Sequence, residues 1–159
     1  MPICGVKLLL RALAVLALIG CLGAAAAAAA PTRPEYIAQV DPICQQGQKE
    51  VAHLTRHYVP SLKAGNYKRA ARILLRGLRR YKALIDTVAQ VEPPAEDAAL
   101  IAQWLSLERE DIAVSRKIAS AIRRERFGAW HRAVKKSKAL EREIRALIAG
   151  YAFEYCGYS

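Results

Sequence analysis

The sequence predicts an all-α domain, an antiparallel up-down four-helix bundle closed by one disulfide. Three observations carry this. Apolar residues recur at helical spacing from residue 34 almost to the end of the 159-residue chain. Proline, glycine and asparagine signals divide that stretch into four segments with short connections. Cys44 and Cys156 stand near its two ends, which an up-down topology brings together.

Residues 1–20 read as a signal peptide. Lys7 and Arg11 supply a positive start, and Ala12–Gly20 an apolar run. Leu18-Ile19-Gly20-Cys21 resembles the bacterial lipobox, in which the cysteine is diacylated and becomes the new N-terminus. Small or neutral residues before the cysteine let the peptidase reach the bond. On this reading Cys21 is the lipidation site, residues 21–33 are an alanine-rich tether, and residues 34–159 are the bundle domain. Two alternatives stay open: an ordinary signal-peptidase cut within Ala24–Ala30, and an uncleaved anchor over Ala12–Ala30. All three place the domain outside the cytoplasm, because Lys7 and Arg11 stay inside. The lipobox reading anchors it to the outer face of the plasma membrane through two acyl chains. The ordinary cut secretes it.

Outside the cytoplasm a lone cysteine pair becomes a disulfide, so Cys44 and Cys156 are expected to bridge. No Cys-x-x-Cys spacing occurs, which argues against a redox-active pair. Cys4 falls in the signal segment.

The first helix is predicted to start at Thr32, because Thr32-x-x-Glu35 reads as a capping box with Pro34 in the first turn. Its seam is Ile37, Val40, Cys44, Gly47, Val51, Leu54 and Tyr58. Pro42 removes one backbone donor, so a kink or a late start is expected there. Val59-Pro60 and Gly65-Asn66 bracket the first connection. The second helix runs from Asn66, a good N-cap, to Val91, with Tyr67, Ala71, Leu74, Leu78, Tyr81, Ile85 and Val88 on its seam. Pro93-Pro94 ends it. The third starts near Ala95, with Glu96 and Asp97 at its positive end. Its seam holds Ile101, Leu105, Ile112, Ala119 and Ile122, with Trp104 alongside. Gly128 marks a break or a bend. The fourth carries Trp130, Val134, Ile144, Leu147, Ile148 and Tyr151.

Three segments carry a resemblance: Tyr36-Ile37-Ala38-Gln39-Val40-Asp41-Pro42-Ile43-Cys44, then Pro93-Pro94-Ala95-Glu96-Asp97 with Trp104-Leu105, then Gly150-Tyr151-Ala152-Phe153-Glu154-Tyr155-Cys156-Gly157. In that order they resemble a family of small exported proteins, often lipoproteins, from high-GC Gram-positive bacteria. The family has no assigned activity. The resemblance implies a helical fold and partnered Cys44 and Cys156, and it brings no catalytic residues. Pro42 departs from its helical first motif.

The chain has 25 Lys+Arg against 14 Asp+Glu, and without Lys7 and Arg11 the formal net charge is +9. The charge is clustered. Arg69, Arg72, Arg76, Arg79 and Arg80 fall on one side of the second helix, opposite Leu74 and Leu78. Arg123, Arg124, Arg126, Arg132, Lys135, Lys136 and Lys138 form a second cluster. Basic helix faces suit polyanions. In this compartment those are anionic lipid headgroups or wall polymers, not nucleic acid. The bland alternative is a merely solvated face.

The sharpest metal candidate is Glu50-x-x-His53-x-x-x-His57, which shares one helical face. That face is not the apolar seam, and the second Glu-x-x-His of a di-iron bundle is missing, so no metal or other cofactor is assigned. Glu108 and Glu141 fall at seam positions and are expected at the seam edge, with snorkelling side chains. No nucleophile–base–orienter arrangement stands out. The reading is a non-catalytic envelope protein, with a small-ligand or metal-binding bundle as the alternative.

Overall fold

The first helix begins where the Thr32–Glu35 pair places it. In the computed structural model, which describes residues 30–156, α1 spans Arg33–Thr55. The Thr32 amide and hydroxyl both donate to the Glu35 carboxylate, at 2.8 and 2.7 Å. Glu35 is thereby held below the usual carboxylate range. The signal segment, Cys21 and most of the tether lie outside the described residues.

Pro42 does not delay the helix, which runs unbroken through it. Pro42 is exposed, so water can reach the carbonyl its missing donor leaves free. The first connection also differs from expectation. Val59-Pro60 does not mark a loop but sits in a short helix, α2 (Tyr58–Lys63). Gly65, at φ +69°, then reverses the chain. The Gly65 and Asn66 amides donate to the Leu62 and Ser61 carbonyls, the paired bonds of a Schellman cap.

The helix α3 spans Tyr67–Val88, three residues short of the expected Val91. Asn66 sits at its N-cap without a capping side-chain bond. A 3-10 turn, Ala95–Asp97, precedes α4 (Ala98–Arg123), which therefore starts just after the expected Ala95. The break near Gly128 falls slightly earlier. A second Schellman cap, with Glu125 in the left-handed region at φ 54°, ends α4, and α5 spans Phe127–Ile148.

Backbone packing is sequential: α1 lies on α3, α3 on α4, and α4 on α5, while α2 caps α3. The result is the expected antiparallel bundle, with the start of α1 and the end of α5 at one end. There Cys44 and Cys156 are bonded, with Cα atoms 5.3 Å apart across 112 residues of sequence. Closing that loop stabilises the fold by about 5 kcal/mol in the chain-entropy description.

The core has two parts. The larger surrounds the disulfide and unites Tyr36, Val40 and Cys44 with Ile85, Val88, Trp104, Ile144, Tyr151 and Phe153. The smaller, at the other end, joins Ala70 and Ala71 to Ile118 and Ile122, with Leu62 and Trp130 packed against them. Tyr36 was not on the expected seam, yet it is wholly buried. It meets Tyr151 edge-on, with ring centroids 6.1 Å apart. That contact needs the C-terminal tail, which the periodicity of α1 does not encode.

Candidate functional site

Two features of the bundle can engage a ligand. One is the basic face of α3. Its buried side holds Ala70, Ala71, Gly77, Leu84, Ile85 and Val88. At 100° per residue, Arg69, Arg72, Arg76 and Arg79 fall on the opposite side, and all four are exposed. None is ion-paired with an acid among the described residues. Arg80 stands apart from them: it is half-buried and bonded to Glu50 of α1. In the second cluster Lys136 pairs with Glu110 at 2.7 Å, while Lys135 and Lys138 border a shallow depression along α5 with Arg142 and Arg145.

The other feature is a groove of 320 Å³ between α1 and α3. Gln48, Val51, Ala52 and Thr55 line it from α1, spaced so that all four share one face. Leu74, Gly77, Leu78 and Tyr81 repeat that spacing on α3, and Asp111 reaches in from α4. Two glycines set how closely its walls approach. Gly47 seats Leu84, whose Cδ2 would lie 2.7 Å from an added Cβ, and Gly77 likewise seats the Thr55 methyl. Glycine in a helix interior costs about 1 kcal/mol relative to alanine, and these two positions show what it is exchanged for.

Beside the groove lies a buried carboxylate. Glu108 is 1% exposed, which corrects the expectation of a snorkelling side chain. It accepts the Tyr81 hydroxyl at 2.8 Å and the Trp104 indole N–H at 3.0 Å. No arginine serves it among the described residues. Burial raises its pKa, partly opposed by these two donors. Asp111, one turn on, is raised by burial as well, although the Ser137 hydroxyl donates to it at 2.6 Å. Glu141, by contrast, stays at the seam edge near Arg145.

The disulfide end uses its polar groups differently. Arg33 grips Asp97 with two bonds, of 2.8 and 2.6 Å, and its guanidinium lies 4.8 Å from the Tyr151 ring centre. The bond from Arg33 holds Asp97 below the usual range. Asp41 accepts the amides of Glu154, Tyr155 and Cys156, and Gln48 donates to the Tyr155 carbonyl. These bonds tie the tail to α1. The Tyr36 and Tyr151 hydroxyls are buried without a bond of ordinary geometry. Burial raises both, Tyr36 to about 12, and nearby Asp97 adds to the shift at Tyr151.

Glu50, His53 and His57 are not gathered into a metal site. Glu50 is engaged by Arg80 and Gln46, and His57 lies beyond the end of α1 and accepts from Arg56. No cluster of three potential metal ligands occurs among the described residues. No helix among them is long and apolar enough to cross a membrane.

Sequence reasoning missed the groove. The available signal was the glycine in each of two predicted helices, since a helix-interior glycine often marks close approach. For Glu108 the signal was Trp104, a donor four residues earlier on the same seam. Compared with known proteins, the chain matches no family model, no curated protein and no solved structure.

Proposed function

We propose that this is a non-catalytic module of the cell envelope that rests on anionic surfaces through α3. One observation carries the reading: Arg69, Arg72, Arg76 and Arg79 form an exposed stripe with no acid paired to it among the described residues, on the back of a helix whose other side is fixed in the core. A rigid row of guanidinium groups suits phosphate-bearing headgroups or wall polymers. Each basic residue at an anionic membrane contributes about 1 kcal/mol, so four give about 4 kcal/mol, a roughly millimolar attraction that a second anchor would reinforce. Cys21, as a diacylated N-terminus, is that anchor in this reading. Its tether precedes the start of α1, which lies at the disulfide end of the bundle.

Co-sedimentation of the unlipidated protein with vesicles tests the reading. Binding to vesicles rich in anionic lipid, falling steeply with salt, is expected. Neutral vesicles should bind little. Replacing Arg69, Arg72, Arg76 and Arg79 by glutamine should abolish the difference. Equal binding to neutral and anionic vesicles would remove the proposal.

A further inference from the structure

The groove between α1 and α3 differs in sign from the surface around it. The chain is strongly basic, yet the charged group lining the groove is Asp111. Asp111 accepts from Ser137, and no lysine or arginine pairs with it among the described residues. Glu108 lies one turn earlier on α4, closed off by Tyr81 and Trp104. Glu141 adds a further negative field at Asp111 from α5. A partly buried carboxylate without a cation attracts one more strongly than an exposed carboxylate does, because less water screens it. Much of the remaining lining is apolar, with Val51, Leu74 and Leu78 half-buried along its length, while the polar Gln48, Thr55 and Tyr81 donate to the Tyr155 carbonyl, the Val51 carbonyl and Glu108. Its 320 Å³ falls in the range of about 300–1,000 Å³ typical of small-molecule sites.

We propose that this groove binds a small amphiphile, with an apolar body between α1 and α3 and a protonated amine at Asp111. The apolar walls take the body by burial, and the carboxylate selects the charge of the head. The site is independent of the arginine stripe, which faces away from the groove and favours the opposite charge.

An NMR titration tests it, using octylammonium, octan-1-ol and octanoate below their micelle-forming concentrations. Octylammonium should shift the amides of Ala52, Tyr81 and Asp111 and bind about tenfold tighter than octanoate. In Asp111→Asn that preference should vanish while alcohol binding persists. Ala52→Trp, which fills the groove from an exposed position, should abolish binding of all three with the fold intact by circular dichroism. Octanoate or octanol binding as tightly as octylammonium overturns the proposal. So do shifts confined to the arginine stripe, unchanged binding in Ala52→Trp, or no shift with any probe.

Discussion

Tyr36, Val40, Cys44 and Gly47 are fully buried in one half of the bundle, and α1 buries no residue fully in the other half. Around the disulfide, α1 is enclosed by α3, α4, the end of α5 and the tail, and four aromatic rings fill the space between them. Beyond Gly47, Val51 and Leu54 are only half-buried, and the groove opens where a continued seam would have closed it. The smaller core at that end is completed by α2 and Trp130 rather than by α1. The polar groups differ in the same way. Near the disulfide, Asp97 and Asp41 are ionisable groups held by donors. Beside the groove, Glu108 and Asp111 are carboxylates that burial makes harder to ionise. The domain thus concentrates its buried contacts at one end, where local opening is expected to cost most.

The largest test of that contrast removes the bridge. Cys44→Ala with Cys156→Ala should lower stability by about 5 kcal/mol, read from urea midpoints under oxidising conditions. A loss below about 1 kcal/mol would mean that the aromatic cluster holds the disulfide end unaided. A smaller effect separates the two glycines. Gly47→Ala drives a Cβ into Leu84, which is 3% exposed, and should cost about 1–3 kcal/mol as overpacking. Gly77→Ala meets Thr55, the last residue of α1, where the helix end can move aside, and should cost clearly less. Equal losses at the two sites would show that the groove end is as rigid as the disulfide end.

The subtlest test is the sign of the pH dependence. The folded pKa of Glu108 is raised, so the folded state keeps its proton to higher pH than the unfolded chain does. Its contribution to stability therefore falls as pH rises from about 4.3, the unfolded value, through the folded value. Asp97 has the opposite sign. Its contribution is present above about 3.9 and is lost as pH falls through its lowered folded value. Urea midpoints across the acid range should accordingly flatten on the high-pH side in Glu108→Gln, and on the low-pH side in Asp97→Asn. If both variants flatten the same side, the two ends do not differ in this respect.

Much of this was legible one helix at a time. The Thr32–Glu35 spacing marked the start of α1, and the periodic residues of α4 from Ile101 to Ile122 are buried as expected. Of the two outcomes expected at Pro42, the late start does not occur, and Pro60 lies in a short helix rather than at a turn, because a proline is excluded from a helix only where its missing donor and its ring cannot be accommodated. Glu108 was misread because a seam carboxylate is assumed to need an arginine. Here a tyrosine hydroxyl from α3 and an indole from its own helix satisfy it instead.

By itself the sequence determined the helical class, the cysteine pair once Cys4 and Cys21 are read as part of the export signal, and four of the five arginines of the stripe, since each depends on spacing along one helix or on few candidates. Only the tertiary structure decided that α1 stops contributing to the core after Gly47, that Tyr36 closes against Tyr151, and that a groove opens beside Asp111. Those outcomes depend on how closely α1 and α3 approach and on where the tail returns. Both are set by contacts between residues distant in the chain, and periodicity along a single helix carries no record of them.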